Sequence, residues 1–411
     1  MACGAAISPA FRSRTLETAG QRARLPIAMI PSLHISGFKL FRDINLPRLG
    51  RLNLFVGKNN TGKSCLLEAV ELYASSSPWE ILRIASRREP DTVAPRRFEM
   101  SDPYELEQSL RPVMDLFHRE HGHIFKPHIR LSAGNGHSES DFELKCDPML
   151  AHIHEREAMI SEVGEKDSSR RKRYPGNFLE DGLELRRGKK NSPPIFHEFL
   201  MRMRRYPMPE RMMDEDGWKH PHAAPVAFLP ARGFSNSEAK RLFDRASLAD
   251  KDELLLQWLG FIESEVKDLR YISDSVAEGD FPYLKINGDT GRVPLASMGD
   301  GMTRLFHIGL AMANASGGIL LIDEFENGLH WEAQEQLWKA LFQAAKQFGV
   351  QVFATTHSTD CIRGFLAAQG EELALNEDYV YRLERSGDDV YAMELPAGSL
   401  DAALRQQVEV R

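Results

Sequence analysis

One short loop restricts the folds open to this 411-residue chain more than any other feature. Residues 57–64 read Gly-Lys-Asn-Asn-Thr-Gly-Lys-Ser, which matches the pattern G-x-x-x-x-G-K-[ST] in full. The apolar run Arg51–Val56 stands directly before the loop, and the residues from Cys65 to Tyr73 are apolar at helical spacing behind it. Strand, glycine-rich loop and helix in this order predict a phosphate-binding loop in an α/β fold.

The residue types of this loop suit a nucleotide. The glycines let the backbone wrap tightly, so that successive N–H groups and the N-terminus of the following helix point at phosphate oxygens. We expect Lys63 to supply charge to the β- and γ-phosphates of ATP, and the Ser64 hydroxyl to ligate Mg²⁺. A chance match in a glycine-rich turn is the alternative, and the correct flanks disfavour it. The predicted nucleotide contacts of the loop are Gly57, Asn59, Asn60, Thr61, Gly62, Lys63 and Ser64.

A second motif, Ile319–Glu324, reads as an apolar strand that ends in two acids. Such a strand is typical of the buried centre of a parallel sheet, and ligands bind at its carboxyl end. Asp323 would hold Mg²⁺ through water, so that Ser64 and Asp323 form the predicted metal site. Glu324 would polarise a water toward the γ-phosphate. The motif is weak evidence alone, and the upstream glycine loop makes it strong.

Two further positions complete the predicted site. His357 ends the next strand, which should lie beside the Asp-Glu strand because one helix joins them. Its imidazole is therefore expected near the γ-phosphate, although a structural role is more common for a lone strand-end histidine. Ser297 and Gly299 stand before a helix that is predicted to start near Met302, a geometry that suits an anion. An ordinary helix N-cap is the alternative for this serine.

The rest of the chain divides by composition. We expect a disordered extension at 1–28, a first lobe with the glycine loop at 29–75, a basic and mainly helical insertion at 76–224, a second lobe at 225–396 and a C-terminal tail at 397–411. A long amphipathic helix is predicted from Asp252 to Leu269. The insertion carries two basic runs that could meet DNA phosphates or remain in solvated loops, Arg170–Arg173 and Arg186–Lys190.

Composition excludes several classes of protein. A net charge of −7 argues against a uniformly basic nucleic-acid binder, and the lack of an apolar run of about 18 residues argues against a membrane span. The four cysteines are scattered, which favours a reducing compartment over a disulfide framework or a structural zinc site. We therefore expect a cytoplasmic protein.

The motifs in this order resemble the ABC-type ATPase heads of SMC-like and repair ATPases. The closest likeness is to the bacterial AAA15/AAA21-type and OLD-like group, over roughly residues 30–75 and 225–385. The resemblance implies an α/β fold, an ABC-type head of two lobes with a mixed sheet, which hydrolyses ATP with Mg²⁺. The segments similar to the group's motifs are 33–41 for its opening strand, 57–64 for Walker A, 297–301 for the signature, 319–324 for Walker B, 326–330 for the D-loop and His357 for the switch histidine.

In that group two heads enclose two ATP molecules. The resemblance therefore implies a homodimer or a higher even-numbered oligomer, in which Ser297 and Gly299 contact the γ-phosphate bound by the other subunit. The group's Q-loop glutamine has no clear counterpart here. Arg232 stands near that place and would serve a phosphate or a neighbouring subunit.

Stand-alone ATPases of this type are commonly half of a two-gene phage-defence system such as PARIS or Septu. The resemblance thus implies a separate effector protein, a TOPRIM- or HNH-type nuclease, that is controlled by ATP-dependent dimerisation. Two other functions stay open. One is a DNA-repair or recombination ATPase that acts directly on DNA, and the other is a nucleotide-gated scaffold with little turnover.

Overall fold

The computed structural model describes residues 29–74, parts of 81–146, the strand at 183–187, and residues 224–406 except 264, 275–278, 289–290 and 373–377. The described strands are β1 (Leu33–Phe38), β2 (Phe41–Leu46), β3 (Leu52–Val56), β4 (Arg119–Glu120), β5 (His123–Ile124), β6 (His128–Ser132), β7 (Phe142–Cys146), β8 (Leu183–Arg187), β9 (Val226–Leu229), β10 (Val266–Asp274), β11 (Gly279–Ile286), β12 (Val293–Pro294), β13 (Ile319–Ile322), β14 (Gln351–Thr356), β15 (Asp378–Ser386) and β16 (Asp389–Glu394). The helices are α1 (Lys63–Ala74), α2 (Asn236–Leu248), α3 (Asp252–Ile262), α4 (Asp300–Ala315), α5 (Trp331–Gln347), α6 (Thr359–Glu372) and α7 (Ala397–Arg405), and a short 3-10 helix spans Leu295–Met298.

A six-stranded sheet in the order β16-β15-β3-β14-β13-β9 forms the centre of the fold. The five strands from β15 to β9 are parallel, and β16 pairs antiparallel with β15 at one edge. Because β3 lies between β15 and β14, the segments predicted as two lobes share one sheet. The sequence predicts that the strand before Asp323 and the strand before His357 are neighbours in the sheet. The parallel pairing of β13 with β14 confirms this prediction.

The apolar character of the central strands follows from cover on both faces. Leu320 and Ile322 of β13 belong to the apolar cluster built with α3 to α6, whereas Ile319 and Leu321 belong to the cluster that contains α1, β1 and β2. Every residue of β3, β13 and β14 is buried. Parallel strands covered in this way carry near-continuous apolar runs, as the sequence motifs do.

A second, antiparallel sheet has the order β2-β1-β6-β7-β8, and joins the N-terminal hairpin to strands of the predicted insertion. The described residues of 76–224 are mostly strands, so a mainly helical insertion is not what they show. The remainder of that segment lies outside the described residues. So do residues 1–28 and the run Arg170–Arg173, while Arg186 and Arg187 lie on β8.

The predicted helix from Asp252 to Leu269 is wrong in its second half. Helix α3 ends at Ile262, and Val266 and Leu269 lie on β10, which pairs antiparallel with β11. A β-bulge between Val266 and Asp268 shifts the register of β10. The side chains of Val266 and Leu269 therefore lie on the same face, opposite Ile286 and Leu284. The three-residue spacing of buried side chains that this bulge produces imitates a helical pattern.

The other predicted elements of residues 297–394 agree to within about two residues at their ends. The helix expected near Met302 begins at Asp300. None of the described helices is long and apolar enough to cross a bilayer.

Candidate functional site

The glycine loop connects β3 to α1 at the carboxyl end of the central sheet. Gly57 has φ +153°, and a Cβ there would stand 2.7 Å from the carbonyl oxygen of Leu383 on β15. Gly62 has φ +95° against the ring of Phe41. These left-handed and crowded positions require glycine, which explains the glycines of the motif. Asn60 also has a positive φ of 65°, and the Thr61 hydroxyl donates to the Lys58 carbonyl at 2.9 Å.

Lys63 directs its ammonium into this loop. The Nζ atom donates to the carbonyl oxygens of Gly57 at 2.7 Å and Lys58 at 2.8 Å, and the side chain is buried. Burial lowers the pKa of Lys63 below its usual value, and the carboxylates of Asp323 and Glu324 oppose this effect. The loop therefore holds a cation next to two acids of the Walker B motif.

Ser64 and Asp323 meet as the sequence predicts. The Ser64 hydroxyl donates to Oδ2 of Asp323 at 2.8 Å, although 259 positions separate the two residues. The other carboxylate oxygen, Oδ1, accepts a 2.6 Å hydrogen bond from the hydroxyl of Thr355 on β14. A hydroxyl and a carboxylate side by side are the hard oxygen ligands that Mg²⁺ prefers.

Glu324 has an unusual backbone. Its φ is +48°, in the left-handed region that residues with a Cβ seldom adopt. The Glu324 N–H donates to Oγ1 of Thr355 at 2.9 Å, and its carbonyl accepts from Arg304 at 2.8 Å. Such strain persists where the surroundings hold it, and it is concentrated at functional sites. The Glu324 side chain is left partly exposed.

His357 lies between two carboxylates. Its Nδ1 is 3.8 Å from Oε1 of Glu324 and 3.1 Å from Oε1 of Glu326, and its backbone N–H donates to the same Glu326 oxygen at 2.9 Å. His357 therefore lies beside the Walker B carboxylate, and its expected place near the γ-phosphate stays a prediction. Glu326, from the D-loop segment, fixes the histidine and is nearly buried.

The predicted signature residues lie apart from this network. Ser297 is exposed in the 3-10 helix, and its hydroxyl donates to the carbonyl of Pro294 at 2.7 Å. Gly299, with φ +90°, is the N-cap of α4, so the serine is not the cap. A Cβ on Gly299 would meet nothing within 4 Å, so the start of α4 faces open space at this residue.

Arg232 does not reach the phosphate loop in any described contact. Its side chain is 73% exposed and forms a 3.6 Å ion pair with Glu238. The loop around it is nevertheless part of the site, because the carbonyl of Ala231 accepts a hydrogen bond from the Asn327 side chain at 2.8 Å. Gly233 packs so closely that a Cβ would stand 2.7 Å from Nδ1 of His307.

Sequence reasoning missed Thr355 and Arg304. Arg304 is a buried cation in an apolar stretch of α4, and that contrast is the signal by which it could have been found. Thr355 belongs to a pair of threonines at the carboxyl end of a buried strand, where an apolar residue would otherwise be expected.

The residues present fit Mg²⁺ held together with a nucleotide. Within the described parts of the chain, no group of three or more His, Cys, Asp or Glu side chains could hold a metal ion. Ser64 and Asp323 offer two ligands, so the remaining ligands would be phosphate oxygens and water, as Mg²⁺ commonly requires.

Comparison with known families matches this geometry. Residues 52–360, more than half of the chain, match the family AAA_21, described as "AAA domain, putative AbiEii toxin, Type IV TA system". The chain belongs to the AAA_21 family. The matched region includes every residue of the network described above, and the chain is an ATPase of the AAA/ABC type.

Individual proteins that resemble this chain have low sequence identity to it. A Helicobacter pylori (strain ATCC 700392 / 26695) protein named ATP/GTP phosphatase is 23% identical to this AAA_21 chain over 361 residues, or 81% of this chain and 86% of that protein. A solved SMC head bound to the C-winged helix domain of ScpA has a TM-score of 0.48 at 13% identity, over 92% of this chain and 99% of that one. The SMC head domain from Thermotoga maritima has a TM-score of 0.44 at 10% identity, over 89% and 98%.

Proposed function

We propose that this chain hydrolyses ATP with Mg²⁺, and that ATP holds two copies of the chain together until hydrolysis releases them. The observation that carries the proposal is the continuous hydrogen-bonded path from Ser64 through Asp323 and Thr355 to Glu324. It joins a predicted metal ligand of the Walker A loop to the backbone N–H of Glu324, the predicted catalytic residue. The Helicobacter relative named ATP/GTP phosphatase supports nucleotide hydrolysis as the activity.

Each residue of the candidate site has its own role in the proposed hydrolysis. Lys63 and the loop N–H groups bind the β- and γ-phosphates, and Ser64 and Asp323 hold the metal ion. Magnesium, when bound with ATP, neutralises charge that develops on the phosphate oxygens. Glu324 orients a water toward the γ-phosphate and accepts its proton, and His357 stabilises the charge beside it.

Self-association is the second part of the proposal. Ser297 and Gly299 are exposed, and their described contacts are with their own turn rather than with Lys63 or Ser64. The N-terminus of α4 carries partial positive charge and free N–H groups that suit a phosphate. That phosphate would be the γ-phosphate of the ATP bound by a second copy of the chain. The α4 N-terminus of the second copy would in the same way contact the ATP bound by the first.

A phosphate-release assay tests the hydrolysis. We expect the wild type to release phosphate from ATP, and EDTA or Lys63→Ala to abolish release. Lys58→Ala is the matched control, because Lys58 carries the same charge in the same loop and its side chain is exposed. Absence of turnover in the wild type would overturn the proposed enzymatic function and favour a nucleotide-gated scaffold.

We further propose that the switch controls a separate effector protein in antiphage defence. This role rests on the resemblance to stand-alone ATPases of two-gene systems. Affinity purification of wild type and Lys63→Ala from the native host tests it. We expect a nuclease of the TOPRIM or HNH type to co-purify with one of the two forms. DNA binding that weakens steeply with salt, without a protein partner, would favour the DNA-repair function instead.

A further inference from the structure

The side chain of Arg304 connects α4 to the Walker B segment through hydrogen bonds. Its guanidinium donates to the carbonyl oxygens of Asp323 and Glu324, both at 2.8 Å, through Nη2. Through Nη1 it donates to the carbonyl of Pro230 at 3.0 Å and, at 3.4 Å, to that of Ala231. One planar side chain therefore bridges the ends of two neighbouring parallel strands, β13 and β9.

Burial of the Arg304 charge is energetically unfavourable, because it removes the guanidinium from water. The side chain is 4% exposed, and burial lowers the pKa of Arg304 to about 10, against the opposing effect of the carboxylates of Glu326, Asp323 and Glu324. It remains a cation at neutral pH. Its neighbours Leu305 and Phe306 are apolar and pack in the core. A position that needed only packing would not require a buried guanidinium, because desolvating a charge is unfavourable.

The contacts act on the residue that the proposed reaction needs most. Glu324 has a left-handed backbone, with its N–H bound by Thr355 and its carbonyl bound by Arg304. Both backbone ends of the residue are thus fixed, and with them the direction in which its side chain leaves the main chain. Removing Arg304 would release the carbonyl and allow Glu324 to relax toward ordinary backbone angles.

Arg304 also stands close to the open start of α4. It lies on the second turn after Gly299, and Gly328 approaches both Asp300 and Arg304, with a Cβ at Gly328 placed 3.7 Å from the Asp300 carbonyl and 3.9 Å from Cβ of Arg304. The loop 323–328 and the first turns of α4 therefore form one packed unit. A small displacement of the helix start would therefore reach Glu324 through these contacts.

We propose that Arg304 is a positioning residue that connects the helix opened by Ser297–Gly301 to the carboxylate of Glu324. Through it, binding of a second copy's nucleotide at the start of α4 sets the geometry for hydrolysis in the first copy. This proposal rests on the proposed function, since it needs ATP turnover and ATP-dependent association. It predicts that Arg304 governs turnover and leaves ATP binding and dimer formation in place.

Two variants of the full chain test the role. Arg304→Lys keeps the charge, but a single ammonium cannot bridge the two pairs of carbonyls. Arg304→Ala removes the group and leaves space for a small cation. Arg363→Gln is the matched control, because Arg363 is an exposed arginine on α6 whose described ion pair is with Asp360. The measurements are kcat from phosphate release, the Kd for a fluorescent N-methylanthraniloyl ATP, the ATP-dependent molar mass by light scattering, and the melting temperature.

We expect kcat to fall by about tenfold or more in both Arg304 variants, as for a misplaced catalytic group. The Kd for the labelled ATP should stay within about threefold, and the ATP-induced dimer should persist. Methylguanidine should restore kcat of Arg304→Ala, whereas methylamine should not. Arg363→Gln should match the wild type in all measurements.

Three results would overturn the proposal. These are a kcat within about twofold of wild type in the folded Arg304 variants, a loss of ATP binding in proportion to kcat, and a failure of both variants to fold. The last two would show that Arg304 holds the site or the fold together rather than positioning Glu324. A wild type without turnover would instead overturn the proposed function, so the two failures are distinguishable.

Discussion

The hydroxyl of Thr355 donates a 2.6 Å hydrogen bond to Oδ1 of Asp323, and the hydroxyl oxygen of Thr355 accepts the N–H of Glu324 at 2.9 Å. One buried side chain on β14 therefore orients the proposed metal ligand and the backbone of the proposed general base together. Because Ser64 binds the other oxygen of Asp323, that carboxylate is held from both helix α1 and strand β14. The geometry of the site is built mainly by neutral hydroxyl groups around the acids.

Replacing Thr355 by valine should disable turnover. Valine keeps the shape but removes both hydrogen bonds, and the partly buried N–H of Glu324 then lacks its acceptor. We expect the free energy of unfolding to fall by about 1–3 kcal/mol and kcat to fall about 10- to 100-fold. Thr355→Ser, which keeps the hydroxyl, should retain most of the activity. Equal activity of the valine and serine variants in a phosphate-release assay would contradict this role.

Ser64→Ala should change the magnesium requirement. Loss of a metal ligand weakens metal binding, so the Mg²⁺ concentration for half-maximal hydrolysis should rise by at least about tenfold. Ser64→Thr keeps the hydroxyl that the motif allows and serves as the control. The measurement is a magnesium titration of phosphate release at fixed ATP. An unchanged midpoint in Ser64→Ala would show that the hydroxyl is not a ligand.

His307 should make the fold sensitive to acid. Burial, together with the charge of Arg304, lowers the pKa of His307 to about 4, and Glu238 opposes the shift. The neutral ring accepts the N–H of Phe234 through Nδ1 at 3.3 Å. Because the unfolded chain binds this proton near pH 6.5, the contribution of His307 is complete above that pH. It is lost as pH falls toward 4, by roughly 3 kcal/mol in total.

Denaturant unfolding between pH 7 and 4 measures this effect. His307→Asn keeps a hydrogen-bond acceptor and removes the titration, so its free energy of unfolding should fall less steeply with pH than that of the wild type. Parallel pH profiles for the two proteins would place the acid sensitivity elsewhere.

The sequence predicted those parts of the site that depend on local patterns. Gly57 and Gly62 are fixed by backbone geometry, and Asp323 ends an apolar strand, so their positions follow from short-range rules. The meeting of Ser64 with Asp323 could also be expected, because both lie at the carboxyl edge of one parallel sheet.

Features that depend on long-range packing were not predictable in this way. The bulge in β10 gave Val266 and Leu269 a helical spacing that only pairing with β11 explains. The contact between the Arg304 guanidinium and the Glu324 carbonyl spans 20 positions. It depends on the left-handed backbone of Glu324, which no residue pattern predicts. The predicted domain boundaries, the DNA contact through the basic runs and the role of Arg232 in phosphate or subunit binding stay predictions.

Glu324→Gln tests the central claim most directly. The amide keeps the size of the side chain but cannot accept the proton of the attacking water, so kcat should fall by roughly 10²- to 10⁴-fold. ATP should still bind with nearly the wild-type Kd, and light scattering should show a dimer that persists with ATP and Mg²⁺ rather than decaying as in the wild type. Undiminished phosphate release by Glu324→Gln, or a variant that stays monomeric with saturating ATP, would contradict the account of an ATP-operated dimer that hydrolysis resets.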